Sequence, residues 1–209
     1  MIGHLRKIAD SIEKDLDEKD TVRELALKSS RAIIRLSGAA IRSMHRGEDP
    51  TALLNEARDE NEQLRGVLAG HSDIASSGFV TAAQQELSEA MLLYSIISKK
   101  KPPTPKQLGV STSAYLLSLG DVIGELRRIS LEAIRVGEVE RAVETLDMME
   151  EMYDVLMRFD YPDGLVPVRK KQDLARTLIE KTRSEVTFAL KSRHLERSIS
   201  ALQKELKEG

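Results

Sequence analysis

The sequence predicts an all-α protein, and three observations lead to that fold class. Helix-forming residues such as Ala, Leu, Lys, Arg and Glu dominate the chain. Aromatic residues make up only 3% of it and Trp is absent, so the composition that favours strands is missing. Apolar residues also recur with the 3.6-residue period of an amphipathic helix, most regularly over residues 21–45. We therefore expect a single antiparallel bundle of about six to seven helices, with long first and last helical regions.

The first half of the chain is predicted to form four helices. The first three cover residues 2–16, 21–45 and 50–68, and the fourth is capped by Ser76 or Ser77 and reaches Ser98. A charged break at residues 17–20 separates the first two helices. Asp49 and Pro50 predict the start of the third, with Asp49 as the N-cap and Pro50 at the first helical position. Residues 70–78 are predicted to be a loop, and the prolines of residues 102–105 end the fourth helix.

The second half is predicted to form three further helices, over residues 112–135, 138–158 and 168–207. The last of these would be about 60 Å long if straight, which is more than a bundle of this size can bury. We expect it to break near residues 192–194 or to protrude into a partner. No internal repeat divides the chain, and the Pro-rich loop is too short to separate domains. One domain, residues 1–209, is therefore predicted.

Composition and charge exclude several classes of protein. The chain has no Cys, so it has no disulfide framework, thiol nucleophile or thiolate metal site. No segment has the sustained hydrophobicity of a membrane span, and the amino-terminal residues lack the apolar core of a signal peptide. We therefore expect a cytoplasmic protein with no membrane partner. The net charge of −2 gives no overall sign of nucleic-acid binding, so any RNA surface must come from local clusters.

The most informative feature is the position of four carboxylates. Charged residues make up 32% of the chain, yet residues 74–98 contain only two and residues 108–124 contain only one. A further charged residue, Glu125, directly follows the second segment. The two pairs are Glu86 with Glu89, and Asp121 with Glu125. Spacings of three and four put each pair on one helix face, and a buried carboxylate is costly unless something compensates it. Because Mg²⁺ and Mn²⁺ prefer carboxylate oxygens, the four residues are candidate ligands for one or two such ions, which could activate water for attack on a phosphodiester.

A structural role for these carboxylates is the alternative interpretation. Arg128, Glu132 and Arg135 fall near the same helix face as Asp121 and Glu125, so a solvated stripe of ion pairs would also account for the pattern. None of the four His residues stands three positions after a motif carboxylate. The Glu-x-x-His ligand pattern of di-iron helical bundles is therefore missing.

Basic residues cluster in three places that could contact RNA phosphates. One cluster is a stripe on the second predicted helix, the next follows the fourth helix, and an arginine pair follows Glu125. The candidates are Arg31, Arg35, Arg42, Lys99, Lys100, Lys101, Arg127 and Arg128, with Arg46 at the end of the stripe. A solvated face or intersubunit salt bridges are the alternative. Because aromatic residues are scarce, phosphate contact is expected to contribute more to binding than base stacking.

Two motifs around the carboxylates resemble those of the translin/Trax family. Residues 85–90, Gln-Glu-Leu-Ser-Glu-Ala, are similar to the Gln-Glu-x-x-Glu-Ala stretch of its catalytic, Trax-type members. Residues 115–128, Tyr-Leu-Leu-Ser-Leu-Gly-Asp-Val-Ile-Gly-Glu-Leu-Arg-Arg, are similar to the family's Tyr-Leu-Leu-Gly-x-x-Asp-Leu-x-Gly-Glu-Leu-x-Arg block. Weaker similarity covers residues 31–46, 152–154 and 168–173, so the resemblance extends over most of the chain.

The resemblance implies a translin-like helical fold and an Mg²⁺- or Mn²⁺-dependent endoribonuclease that cleaves single-stranded RNA. By motif position, the catalytic and metal-binding roles fall on Glu86, Glu89, Asp121 and Glu125. Non-catalytic members lack the first acidic pair and the Asp of the second block, whereas this chain keeps them all. The resemblance also implies a prokaryotic or archaeal homo-oligomer, an octamer-like shell whose acidic site faces an internal cavity.

Two other functions compete with the ribonuclease. One is a non-catalytic, translin-like protein that binds single-stranded RNA or DNA, and the complete acidic set speaks against it. The other is an all-α, metal-dependent nucleotide pyrophosphohydrolase, a class that also carries Glu-x-x-Glu on paired helices. The second motif here is Asp-x-x-x-Glu in a Trax-like context, which favours the ribonuclease.

Overall fold

Helices account for all the regular secondary structure in a computed structural model of the chain, which describes residues 2–208. The helices are α1 (Ile2–His45), α2 (Thr51–Val67), α3 (Ser72–Ala75), α4 (Gly78–Ile97), α5 (Pro105–Leu108), α6 (Thr112–Arg135), α7 (Val139–Leu156) and α8 (Arg169–Glu208). The predicted all-α class is confirmed. Six of these helices are long and two are single turns, which agrees with the expected six to seven. Among the described helices, none combines the length and the apolar character that crossing a bilayer requires.

The chain divides into two compact units, and the boundary lies inside α6, between Ser118 and Leu119. The first unit contains α1 to α5 with the start of α6, and the second contains the rest of α6 with α7 and α8. The single domain predicted for residues 1–209 stays a prediction.

Helix α1 provides the main packing surface of the first unit, because both α2 and α4 pack against it. Its buried face carries Ala26, Ile33 and Leu36, which join Leu64 of α2 and Leu87 of α4 in one apolar core. This face repeats with the period that the sequence predicted. The buried area supplies most of the stability of a helix this long, since propensity alone is weak.

The predicted break at residues 17–20 is wrong, because α1 continues through it. The segment is highly charged and exposed, but it contains neither Gly nor Pro. Solvated charges are compatible with a helix, so charge density alone does not end one. Lys19 is fixed there by an ion pair of 2.6 Å with Asp73.

Helix α2 begins one residue later than predicted, with Pro50 rather than Asp49 at the N-cap position. The Asp49 carboxylate accepts hydrogen bonds from the backbone N–H of Thr51, at 3.0 Å, and from its hydroxyl, at 2.5 Å. The predicted loop of residues 70–78 differs from the structure, since it contains the single turn α3. The Pro-rich loop likewise contains α5, which a reciprocal capping box between Thr104 and Gln107 begins.

In the second unit, α7 packs against α8, and α6 adds the contacts described below. Helix α6 has the bounds that the sequence predicted, Thr112–Arg135. Helix α8 runs without the break expected near residues 192–194. Its residues 194–207 are all exposed in the chain, and the other expectation, that this helix protrudes into a partner, stays a prediction.

Candidate functional site

Glu86 and Glu89 lie one turn apart on α4, in the first unit. Glu89 is only 8% exposed and Glu86 is half-buried, and they are the only charged residues of helix α4. Leu87 and Ala90 on the neighbouring positions are fully buried. Transferring a carboxylate into such surroundings is costly unless other groups compensate its charge, and both residues have interaction partners in the fold.

The helix that carries this pair is tied to the start of α6. The Gln84 side-chain oxygen accepts a hydrogen bond of 2.9 Å from the backbone N–H of Ser111. The hydroxyl of Tyr115 donates to the carbonyl of Pro103 at 2.9 Å, which holds the Pro-rich loop against α6. Burial raises the pKa of the Tyr115 phenol, so it stays protonated and remains a donor.

Asp121 and Glu125 lie one turn apart on the part of α6 that belongs to the second unit, and both are half-buried. The Asp121 carboxylate forms an ion pair with the ammonium group of Lys171 at the start of α8. The local sequence does not reveal this partner, because Lys171 lies 50 positions further along the chain. Nearby, Arg135 pairs with Glu132, so part of the alternative ion-paired stripe does exist.

A close approach of α6 to α8 places Lys171 at this carboxylate. A Cβ built on Gly120 would lie 2.7 Å from the Cβ of Lys171, well inside van der Waals contact. Only a residue without a side chain fits beneath the lysine stem at this position, which agrees with the close helix packing that a glycine inside a helix favours. The start of α8 is fixed by Gln172, whose amide donates to the carbonyls of Leu156 and Phe159 at 3.0 and 2.9 Å.

Arg127 and Arg128, both predicted to contact RNA, differ in their surroundings. The Arg127 guanidinium donates to both carboxylate oxygens of Glu185, at 2.8 and 2.9 Å, and to the hydroxyl of Thr182 at 2.6 Å. Its side chain is 17% exposed. Arg128 is exposed. The ion pair occupies the donors of Arg127, which leaves Arg128 as the better candidate for a phosphate contact.

The arginine stripe on α1 is exposed, as predicted for Arg31, Arg35, Arg42 and Arg46. The first two line an open groove of about 390 Å³ together with Lys28. Arg46 is already paired, because it donates to Glu48 at 2.8 and 2.6 Å. This pair raises the pKa of Arg46 and lowers the pKa of Glu48.

The three lysines after α4, residues 99–101, also differ in their surroundings. The Lys100 ammonium donates to the Tyr94 hydroxyl at 3.1 Å and lies 4.8 Å from the centroid of that ring. Hydrogen bonds with Thr51 and Lys100 lower the pKa of Tyr94. Lys99 and Lys101 are exposed, and Lys99 has a positive φ of 53°. Lys100 therefore stabilises the end of α4, while its two neighbours extend into solvent.

Carboxylate oxygens are the ligand type that Mg²⁺ and Mn²⁺ prefer, so the chemistry of Glu86, Glu89, Asp121 and Glu125 fits such a cation. Over residues 2–208, no three His, Asp or Glu side chains are already assembled as a metal-binding group. The assignment of a cation to these residues therefore stays a prediction.

The fold and these residues define an all-helical protein with acidic pairs on two of its helices. The sequence profile of the translin family matches residues 19–194. Over 189 residues the chain is 33% identical to the protein MJ0175 of Methanocaldococcus jannaschii. The alignment covers 90% of this chain and 85% of that protein. The chain belongs to the translin family, and the resemblance inferred from its motifs is confirmed.

Solved structures agree with this assignment. A complex of AfC3PO with duplex RNA is 31% identical, with a TM-score of 0.73, and the match covers 88% of this chain and 97% of that one. The structure of apo-NeC3PO is 24% identical, with a TM-score of 0.69 over 90% of this chain and 98% of that one. At that lower identity, the likeness concerns the fold alone.

Proposed function

We propose that this protein binds RNA and is a metal-dependent endoribonuclease that cleaves single-stranded RNA. One observation carries the proposal: four carboxylates, spaced as pairs and at least half-buried, stand in stretches of two helices that are otherwise poor in charge, in the sequence context of the family's catalytic members. Support for RNA as the ligand comes from the related AfC3PO, whose solved structure is a complex with duplex RNA.

The proposal keeps Glu86 and Glu89 on α4, and Asp121 on α6, as candidate ligands for Mg²⁺ or Mn²⁺. Glu125 would either bind such an ion or orient the neighbouring ligand. When bound, the cation would supply Lewis-acid activation of water and neutralise charge on the phosphate. The residues of the chain would hold that cation and keep it in surroundings of low polarity. Glu89 is only 8% exposed, and electrostatic interactions are stronger at such a site than in water.

The RNA would be held mainly through its phosphates. Arg31 and Arg35, which line the groove on α1, and the exposed Lys99, Lys101 and Arg128 are the side chains best able to reach them. A backbone-directed surface of this kind binds many sequences, because phosphates carry no base information. Single-stranded DNA, which has the same phosphates but lacks the 2′-hydroxyl group, would then bind as well.

A homo-oligomer, in the form of an octamer-like shell, completes the proposal. Large apolar side chains remain exposed along the last part of α8, at spacings of seven, four, three and four. They are Phe188, Leu195, Ile199, Leu202 and Leu206. This spacing matches a coiled-coil seam. An open groove of about 800 Å³ in the second unit, lined by Leu131, Ile134 and Phe188, adds to the uncovered apolar surface. Exposed apolar side chains that are clustered in this way are typical of association sites.

The experiment that tests the function incubates the pure protein and Mn²⁺ with a labelled single-stranded RNA, the same RNA as a duplex, and nucleoside triphosphates. We expect internal cleavage of the single strand and little cleavage of the duplex. Binding of RNA without cleavage would favour the non-catalytic alternative, and release of pyrophosphate from the nucleotides would favour the pyrophosphohydrolase. Either result would overturn the proposed activity.

A further inference from the structure

Lys171 is held at a carboxylate to which the proposed function assigns a cation. Its ammonium group forms an ion pair with Asp121, and the two side chains are only 25% and 21% exposed. Most ion pairs in this chain lie on side chains that are largely exposed, such as Lys19 with Asp73. The Lys171 pair is thus better shielded from water, and its electrostatic attraction is less screened.

The position of Lys171 is fixed from its backbone outward. Its Cβ, Cγ and Cδ atoms lie over Gly120, where an added Cβ would meet them at 2.7 to 3.2 Å. Val168, just before α8, is fully buried, and Gln172 is bonded to two carbonyls at the end of α7. The lysine stem therefore has little freedom, and the ammonium reaches Asp121 without the entropic cost that a solvated lysine would have.

A divalent cation and an ammonium group compete for the same carboxylate. The oxygen that accepts from Lys171 is Asp121 Oδ1, and a cation that binds Asp121 must either displace the ammonium or accept its repulsion. We infer that Lys171 is a built-in counter-ion of the metal site, which a divalent cation has to displace and which thereby sets the cation concentration that the protein needs. The inference rests on the proposed function, because it requires Asp121 to be a ligand.

Metal binding by the full chain, measured without any RNA, tests this role. Mn²⁺ is titrated into the protein, and the free ion is followed by its electron paramagnetic resonance signal, in wild type and in Lys171→Met. We expect the variant to bind Mn²⁺ about fivefold more tightly, the size of effect that an ion pair worth about 1 kcal/mol would produce. Lys170→Met is the matched control, because Lys170 is the exposed neighbour on the same helix and loses the same charge.

Asp121→Asn separates the inference from the proposed function on which it rests. In an Asp121→Asn background, Lys171→Met should no longer raise the affinity, because the carboxylate for which the two cations compete is gone. Circular dichroism checks that each variant is folded, and Lys171→Gln replaces Lys171→Met if the latter is not.

Each outcome of the titration decides one of the two claims. Binding that depends on Asp121 but is equal or weaker in Lys171→Met would overturn the role of Lys171 alone. An equal gain in Lys170→Met would reduce the effect to net charge, and would overturn it too. Absence of Mn²⁺ binding in every variant, or binding that Asp121→Asn leaves unchanged, would remove the proposed metal site and the inference with it.

Discussion

Arg127 on α6 and Glu185 on α8 are joined by a two-pronged ion pair, with nitrogen–oxygen distances of 2.8 and 2.9 Å. The same guanidinium donates to Thr182, whose hydroxyl in turn donates to the carbonyl of Leu178 at 2.7 Å. Planar guanidinium groups match carboxylates in this geometry, which lysine cannot reproduce. Together with Lys171 and Asp121, this pair links α6 to α8 on the stretch of α6 that carries the second acidic pair.

We predict that Arg127→Met lowers the free energy of unfolding by about 1–2 kcal/mol, since it leaves Glu185 and Thr182 without their donor. This loss of stability is smaller than the loss expected for a fully buried ion pair, because Glu185 is 43% exposed and water screens its charge. Urea unfolding measures the change. Arg128→Met, at the exposed neighbouring position, should change stability by less than about 0.5 kcal/mol. Equal effects of the two substitutions would contradict the stabilising role of the Arg127 pair.

The acidic residues are predicted to be essential for cleavage. Alanine at Glu86, Glu89 or Asp121 should abolish cleavage of labelled single-stranded RNA while leaving helicity intact, because each removes a carboxylate proposed to hold the cation. Chelation by EDTA should have the same effect, and added Mn²⁺ should reverse it. Glu132→Ala is the control, since Glu132 is an exposed carboxylate of α6 that pairs with Arg135. Cleavage at the wild-type rate by Asp121→Ala would refute the site.

Local patterns made most of the fold predictable. The bounds of α6 follow from apolar periodicity and from Gly137, which has a positive φ of 82° and ends the helix. Asp49 and Pro50 likewise placed the start of α2 to within one residue. The turns α3 and α5 could not be predicted, because four residues are too few to show a period. The break at residues 17–20 was predicted from charge alone, without a residue that disrupts helices.

The candidate site was predictable only in part. Glu86 and Glu89 stand out because the sequence around them has no other charge, and their burial agrees with that signal. Lys171 lies 50 residues from Asp121, and nothing in the local spacing links the two. Similarly, the sequence makes Arg127 and Arg128 equivalent, and only the packing of α6 on α8 separates them. Contacts between distant segments leave no periodic trace, so a single sequence does not reveal them.

Gly120→Ala is predicted to destabilise the protein. The added methyl group would stand 2.7 Å from the Cβ of Lys171, an atom close to the backbone that cannot move aside. Overpacking of this kind costs about 1–3 kcal/mol, against which alanine regains about 1 kcal/mol of helix propensity. Gly124→Ala on the same helix meets only an ordinary contact of 3.9 Å with Leu178 and should be neutral or stabilising. If both variants unfold at the same urea concentration, the close approach at Gly120 has no energetic effect.

The protein is predicted not to be a monomer in solution. Light scattering at micromolar concentration should give a mass several times the 23.3 kDa of one chain. Replacing Leu195 and Leu202 by Lys should lower that mass, because both are exposed apolar residues on the α8 seam. Ser200→Lys adds charge beside the seam and should leave the mass unchanged. A wild-type mass near 23.3 kDa would exclude the oligomer.

The last prediction concerns how RNA is held. If phosphate contacts dominate, the logarithm of the affinity should fall with the logarithm of the salt concentration, by roughly 0.7 for each contact to a single strand. Replacing Lys99, Lys100 and Lys101 together by alanine should weaken binding to all sequences alike and make this slope shallower. Replacing Arg31, Arg35 and Arg42 should do the same without loss of Mn²⁺ binding.

Two single substitutions make this test specific. Lys100→Ala alone should have the smaller effect on RNA, because the Lys100 ammonium is held by Tyr94. Arg46→Ala is the control for the arginine stripe, since Arg46 is already paired with Glu48. Fluorescence anisotropy with labelled RNA at several salt concentrations measures both affinity and slope. If neither cluster changes either quantity, these charges are solvated or lie between subunits, and other residues must contact the RNA.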